Sequence, residues 1–141
     1  MMQEETTVLI VDDHPLLRHG LRDVIGHNPR FRIVGEAADG EEALRLIVGL
    51  KPQIVILDID MPRLNGLETI RRIRQLSFAV NVVILTMYNE EDMFNAAMDL
   101  GARAYVLKET AAREIVAALE KVALGESFVS AMLRAAGQRR S

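Results

Sequence analysis

Four short apolar runs, each followed at once by a residue that can carry chemistry, constrain the fold of this chain more than any other feature. The runs are rich in Val and Ile and cover residues 8–11, 54–57, 82–85 and 105–107. Runs this short and this apolar are typical of buried strands in a parallel sheet. Ligands bind at the carboxyl edge of such a sheet, so the residues that end the runs should meet in one crevice. They are Asp12, Asp13, Asp58, Thr86 and Lys108.

Segments with a different periodicity separate these runs. Their apolar residues recur every three or four positions, as on one face of a helix, with one segment from about Pro15 to His27 and another that opens at Asp39. Residues 31–37 supply a further strand, which brings the number of strand and helix units to five. Strict alternation predicts a parallel sheet with helices on both faces and right-handed crossovers. We therefore predict an α/β fold of the (βα)₅ type, with a doubly wound, five-stranded parallel sheet.

Length and composition limit the number of domains and the location. The 141 residues suit one domain, predicted over residues 1–126, because the helical pattern weakens from Ser127 onward. Residues 127–141 are predicted to be a frayed extension, or the start of a linker to an output domain that lies outside this chain.

No apolar segment approaches the roughly 18 to 20 residues of a membrane span. The chain also has no cysteine, so we expect a cytoplasmic protein without a membrane partner. The formal charge of −3 gives no indication of the broad positive surface that binds nucleic acid.

The polar residues after the runs suggest a metal ion and a phosphate group. Neighbouring carboxylates raise each other's pKa unless a cation compensates their charge, which applies to Asp12, Asp13 and Asp58. Because this set offers oxygen ligands and no His or Cys, it favours Mg²⁺ or Mn²⁺. The Lys108 ammonium and the Thr86 hydroxyl suit the negative charge of a transferring phosphoryl group. A carboxylate can itself take up that group, and Asp58, alone on the central strand, is the expected acceptor.

Structural explanations compete with these roles. A single Asp at a strand end usually caps the following turn, and only the convergence of five positions favours function. His14, His19 and His27 are spaced five and eight positions apart, which does not keep them on one helix face. We therefore expect the three histidines at the surface or in packing.

Four motifs, taken in order and spacing, resemble the receiver domain of two-component response regulators from about residue 6 to residue 130. They are Val11-Asp12-Asp13-His14-Pro15, Leu57-Asp58-Ile59-Asp60-Met61-Pro62-Arg63-Leu64-Asn65-Gly66, Leu85-Thr86-Met87 and Gly101-Ala102-Arg103-Ala104-Tyr105-Val106-Leu107-Lys108. The Asp-Asp-His-Pro start, and Glu109 where Pro commonly follows the Lys, more narrowly resemble the NarL/FixJ, or LuxR-type, class. That class usually carries a C-terminal helix-turn-helix domain, so the resemblance implies transcription regulation through such an output domain.

The resemblance implies a reaction. Asp58 would accept a phosphoryl group from a phosphohistidine on a sensor histidine kinase. Mg²⁺ would be bound by Asp13, Asp58 and the backbone carbonyl of Asp60, with Asp12 acting through water. The chain would then be a signalling domain that assists its own phosphorylation and dephosphorylation, and not an enzyme with a separate substrate.

The resemblance also implies a switch and a strand order. Lys108 would pair with the phosphoryl oxygens, Thr86 would move toward them and Tyr105 would turn inward. This change would reshape a partner surface near the fourth and fifth helices, with a homodimer formed on phosphorylation as one outcome. DNA would be contacted only through the output domain. The strand order would be 2-1-3-4-5, as in flavodoxin-like and CheY-like folds.

Other functions stay open at this point. A stand-alone receiver would act without an output domain, and a binding module would act without phosphorylation. A weaker alternative is a phosphatase of the haloacid dehalogenase type, because Asp58-Ile59-Asp60 resembles the Asp-x-Asp start of that family. However, Pro62 departs from that motif, and Asp12 and Asp13 have no place in it. Repeated phosphate release would mark the phosphatase, a single modification the receiver, and no modification the binding module.

Overall fold

The strands of this computed structural model, which describes residues 5–60, 66–76, 79–87 and 91–131, form one parallel sheet. The strands are β1 (Thr6–Val11), β2 (Phe31–Ala37), β3 (Ile54–Asp58), β4 (Asn81–Thr86), β5 (Ala104–Leu107) and β6 (Phe128–Val129). Their order is β2-β1-β3-β4-β5-β6, and every pair of neighbours is parallel. The prediction of a parallel α/β sheet with its first five strands in the order 2-1-3-4-5 is therefore confirmed, with one further strand at the β5 edge.

Helices connect the strands and begin where the sequence provides suitable residues. They are α1 (Pro15–Gly26), α2 (Gly40–Leu50), α3 (Gly66–Gln75), α4 (Glu91–Asp99) and α5 (Ala111–Ala123), with a short 3₁₀ turn at Lys108–Thr110. Pro15 opens α1, where its missing N–H leaves no hydrogen bond unmade. Asp39 caps α2, because its Oδ1 accepts a hydrogen bond from the Glu42 amide at 2.9 Å. In the described part of the chain, no helix is long and apolar enough to cross a membrane.

The sheet has a hydrophobic core on each face. Successive residues of β1 point to opposite sides, so Leu9 and Val11 join one core and Val8 and Ile10 join the other. Buried residues of α2, α3 and α4 complete the first core, and those of α1 and α5 complete the second. Burying one such Ile or Val side chain contributes about 1.5–3 kcal/mol. This double layer confirms the doubly wound arrangement.

The sixth strand corrects the sequence prediction for the residues just after 126. A frayed extension was expected there, whereas Phe128–Val129 pairs in parallel with β5. The Phe128 amide donates to the Arg103 carbonyl at 3.1 Å, and the Ser130 amide donates to the Tyr105 carbonyl at 3.0 Å. β6 therefore covers the edge of β5 and pairs backbone groups that an open edge strand would expose. A strand of two residues has no periodicity that a sequence pattern can detect. Residues 132–141 lie outside the described residues.

Candidate functional site

The predicted site residues lie together at the carboxyl edge of the sheet. Asp12 directly follows β1, Asp58 and Thr86 are the last residues of β3 and β4, and Lys108 directly follows β5. The strands are in register at this edge, since Val11 pairs with Leu57, Asp58 with Leu85, and Thr86 with Leu107. Parallel pairing therefore brings residues that are far apart in sequence to one level of the sheet, as the apolar runs predicted.

Asp58 is the buried centre of this site, with both carboxylate oxygens engaged. Lys108 Nζ donates to Asp58 Oδ2 at 2.9 Å, and the Asp60 amide donates to Asp58 Oδ1 at 2.8 Å. The Asp58 side chain is fully buried, and the Lys108 side chain is only 9% exposed. Burial raises the pKa of Asp58, and the hydrogen bonds from Lys108 and Asp60 offset this effect only in part. The carboxylate is thus fixed in orientation and depends on nearby positive charge.

Asp12 and Asp13 each have one buried carboxylate oxygen that accepts no well-directed hydrogen bond from the described residues. Asp12 Oδ1 accepts from the His14 amide at 2.7 Å, but among the described residues Asp12 Oδ2 has no hydrogen-bond donor and lies 3.9 Å from Lys108 Nζ. Asp13 Oδ1 is likewise buried without a well-directed hydrogen bond. A buried carboxylate oxygen without a donor is costly, unless a cation binds it.

His14 belongs to this site, which the sequence analysis missed. Its Nδ1 lies 3.2 Å from Asp12 Oδ1 and 3.0 Å from Asp13 Oδ1. The expected surface position is correct, since the side chain is 60% exposed, but the imidazole also borders both carboxylates. The spacing of His14 from His19 and His27 carried no information about this contact. Its direct sequence neighbours Asp12 and Asp13 were the available signal.

The donor set fits a divalent cation. Asp12, Asp13, His14 and Asp58 each offer one ligand atom, and these atoms lie within 4.8 Å of one another. Three of the four are carboxylates, which are the hard oxygen ligands that Mg²⁺ and Mn²⁺ prefer. Together with the two buried carboxylate oxygens that accept no well-directed hydrogen bond from the described residues, this arrangement supports the predicted metal site.

The side chains of Asp60 and Thr86 contact each other. Asp60 Oδ2 accepts from the Thr86 hydroxyl at 3.4 Å and from the Met87 amide at 3.3 Å. The Asp60 side chain is therefore not part of the carboxylate cluster, and the ligand role of its backbone carbonyl stays a prediction. Thr86 is fully buried at the end of β4. Its movement toward a phosphoryl group also stays a prediction.

Tyr105 lies in the interior beneath the site. The side chain is fully buried, and its ring packs against the Phe94 ring in a T-shaped arrangement, with a centroid distance of 5.2 Å and an interplanar angle of 78°. The ring already occupies an inward position in this structure. Its predicted role as a switch stays a prediction.

Comparison with known proteins agrees with this geometry. A family model for the response regulator receiver domain matches residues 8–120. The chain is 37% identical over 131 residues to the nitrate/nitrite response regulator protein NarL of Escherichia coli K12, which covers 93% of this chain and 61% of that protein. The chain therefore spans less than two thirds of the length of this curated relative.

Solved structures show the same fold. A two-component response regulator of the LuxR family from Aurantimonas sp. SI85-9A1 superposes with a TM-score of 0.90 at 34% identity, covering 98% of this chain and all of that one. The isolated receiver domain of RcsB from Salmonella enterica serovar Typhimurium, solved with the phosphomimetic BeF₃⁻, gives a TM-score of 0.87 at 26% identity. It covers 93% of this chain and 97% of the other.

Proposed function

The chain belongs to the response regulator receiver domains, with relatives of the NarL and LuxR type, and on this premise we propose that it is a phosphoacceptor switch whose acceptor is Asp58. The observation that carries the proposal is the hydrogen bond of 2.9 Å between Lys108 Nζ and the fully buried Asp58 carboxylate. Such a carboxylate is a nucleophile held in one orientation beside a positive charge.

The proposed reaction is a transfer of one phosphoryl group. An Asp58 carboxylate oxygen attacks phosphorus and forms a new O–P bond. The bond from phosphorus to the donor breaks, and the donor's leaving atom keeps the electron pair. The donor is a phosphohistidine on a sensor histidine kinase, or a small acyl phosphate from which a carboxylate leaves. Hydrolysis of the resulting acyl phosphate returns Asp58 to its carboxylate form.

Each neighbouring residue has a role in this proposal. Asp12, Asp13 and Asp58 would hold Mg²⁺ or Mn²⁺, together with the backbone carbonyl of Asp60. When bound, the cation would neutralise charge on the carboxylates and on the phosphoryl oxygens. Lys108 keeps its ammonium at the acceptor oxygen, where it pairs with phosphoryl charge as that charge arrives. Thr86, buried at the end of β4, would donate its hydroxyl to the phosphoryl oxygens.

The output of the switch is proposed to be transcription regulation. The chain spans 61% of the length of the NarL relative, so a DNA-binding output domain would lie outside the sequence described here. Phosphorylation would reshape the surface near α4 and α5, and would thereby change contacts with that domain or with a second copy of this chain. A shift of this kind requires contacts that differ between the two states. Lys108 and Thr86 supply such contacts.

Intact-protein mass spectrometry with acetyl phosphate tests the proposal. We expect one phosphoryl group per wild-type chain, only when Mg²⁺ is present, and none on Asp58→Asn. The matched control is Asp23→Asn, which alters an exposed carboxylate on α1 and should be phosphorylated like wild type. An unmodified wild-type chain would indicate a module that only binds, and continuous release of phosphate would indicate a phosphatase.

A further inference from the structure

The backbone beside Lys108 is attached to a residue near the end of the described chain. The Leu107 amide donates to Ser130 Oγ at 2.9 Å, in a contact that joins positions 23 residues apart. Ser130 is fully buried, although it follows the two-residue strand β6. The residue that directly precedes Lys108 is therefore fixed by the C-terminal segment of the described chain.

The Glu114 carboxylate on α5 accepts hydrogen bonds both from this segment and from the turn after β5. Ser130 Oγ donates to Glu114 Oε1 at 2.6 Å, and Thr110 Oγ1 donates to the same oxygen at 2.5 Å. The Ala131 amide donates to Glu114 Oε2 at 3.1 Å. Hydrogen bonds to a carboxylate are roughly twice as strong as neutral ones. We refer to the residues of this network, Leu107, Thr110, Glu114, Ser130 and Ala131, as the Ser130 latch.

The latch contacts the chain on both sides of Lys108. Lys108–Thr110 forms the 3₁₀ turn that leads into α5. Leu107 anchors the start of this turn to Ser130, and Thr110 anchors its end to Glu114. Hydrogen bonds weaken steeply when their angles are distorted. A movement of the Lys108 backbone therefore changes the geometry of both anchors.

Lys108 also contacts the proposed acceptor Asp58, so phosphorylation of Asp58 would change this contact. Its Nζ donates to Asp58 Oδ2 in this structure, and in the proposed function it follows the phosphoryl oxygens once Asp58 is modified. Because Lys108 is joined directly to Leu107, a shift of the Lys108 backbone toward the phosphoryl oxygens would displace the end of β5. The backbone connects Lys108, which contacts Asp58, directly to Leu107, which contacts Ser130.

We propose that the Ser130 latch couples phosphorylation of Asp58 to the chain that follows residue 131. With the Lys108 contact to the Asp58 carboxylate intact, the latch holds Ser130 and Ala131 against β5 and α5. Phosphorylation draws Lys108 toward the phosphoryl oxygens and loosens the contacts that hold Ser130 and Ala131. This inference rests on the proposed function and names the element through which the switch acts.

Amide hydrogen exchange measured by NMR on the ¹⁵N-labelled 141-residue chain tests the latch. Acetyl phosphate and Mg²⁺ are added, and mass spectrometry of the same sample gives the phosphorylated fraction. We expect the Ser130 and Ala131 amides to exchange about three- to tenfold faster in the phosphorylated chain, the factor that the loss of one hydrogen bond produces. The amides of β1 and β3 should change less.

Two variants and a control distinguish an effect of the latch on amide exchange from an effect of general destabilisation. Ser130→Ala and Glu114→Gln should raise exchange at Ala131 before phosphorylation and should remove most of the further response. Glu120→Gln changes another acid on α5, one that pairs with Arg30 at 3.9 Å, and should respond like wild type. A phosphorylated wild-type chain with unchanged Ser130 and Ala131 exchange would overturn the latch alone. A chain that takes no phosphoryl group would overturn the proposed function, and the latch with it.

Discussion

Lys108 Nζ donates to Asp58 Oδ2 at 2.9 Å, and it lies 3.9 Å from Asp12 Oδ2. The ammonium therefore lies close to two buried carboxylates but donates a hydrogen bond to only one of them. Asp12 Oδ2 is left without a donor among the described residues. The site holds more negative charge than its own lysine compensates, and its ligand atoms are close enough together to hold a further cation.

Replacing Lys108 should slow phosphorylation. Lys108→Met keeps much of the side-chain volume but removes the ammonium that faces the acceptor. Loss of one positioned donor at developing charge typically slows a reaction by about 10²-fold. The rate of adduct formation from acetyl phosphate, followed by intact mass, measures the effect. Lys121→Met is the matched control, because Lys121 pairs with Glu126 on the surface of the protein, at 3.6 Å. Equal rates in the two variants would rule out this role for Lys108.

Removing one carboxylate should weaken the metal site. Asp13→Asn takes a charge from the cluster formed by Asp12, Asp13, His14 and Asp58. We expect Mn²⁺ to bind at least about tenfold more weakly, which corresponds to 1.4 kcal/mol. Free Mn²⁺ measured by electron paramagnetic resonance gives the affinity without reference to phosphorylation. Asp23→Asn, on the exposed side of α1, should bind Mn²⁺ like wild type. An unchanged affinity in Asp13→Asn would place the ion elsewhere.

The sequence predicted which residues lie at the carboxyl edge of the sheet, because the signal for a strand end is local. A run of Val and Ile marks a strand, and the residue that ends it lies at the edge whatever the strand order is. The contacts of His14, Ser130 and Glu114 have no such signature. Ser130 is buried only because β6 pairs with β5, and Glu114 meets it only because α5 packs beside that edge. Strand order itself depends on the whole chain, and it came from the family resemblance.

The Glu114 carboxylate should make stability depend on pH. Burial alone would raise its pKa, but hydrogen bonds from Ser130, Thr110 and the Ala131 amide, with the charge of Arg113, lower it below its usual value. A lowered folded-state pKa contributes stability above the unfolded-state pKa, and this contribution is lost as the pH falls through the folded-state value. Wild type should therefore be more stable than Glu114→Gln at pH 7, and the difference should shrink in acid.

Urea unfolding of both proteins from pH 7 to pH 3 measures this difference. Comparing the two proteins at each pH cancels the titration of groups that they share, including the Asp58 site. Glu120→Gln provides the control, and its difference from wild type should stay small at every pH, because Glu120 is partly exposed and its ion pair with Arg30 spans 3.9 Å. A difference between wild type and Glu114→Gln that grows in acid would contradict the lowered pKa.

Gly66 should be required for the close approach of α3 to the acceptor strand. A Cβ atom at Gly66 would lie 2.4 Å from Ile59 Cα, and Ile59 directly follows Asp58. Because the clash involves backbone, Gly66→Ala should lower the free energy of unfolding by about 1–3 kcal/mol and displace the acceptor. Gly49→Ala is the matched control, since a Cβ there meets no atom within 4 Å and should stabilise α2 by about 0.5–1 kcal/mol. Urea unfolding and the rate of phosphorylation by acetyl phosphate measure the two effects, and the rate should fall only in Gly66→Ala. If both glycines tolerated alanine equally, the packing of α3 on Ile59 would not constrain the site.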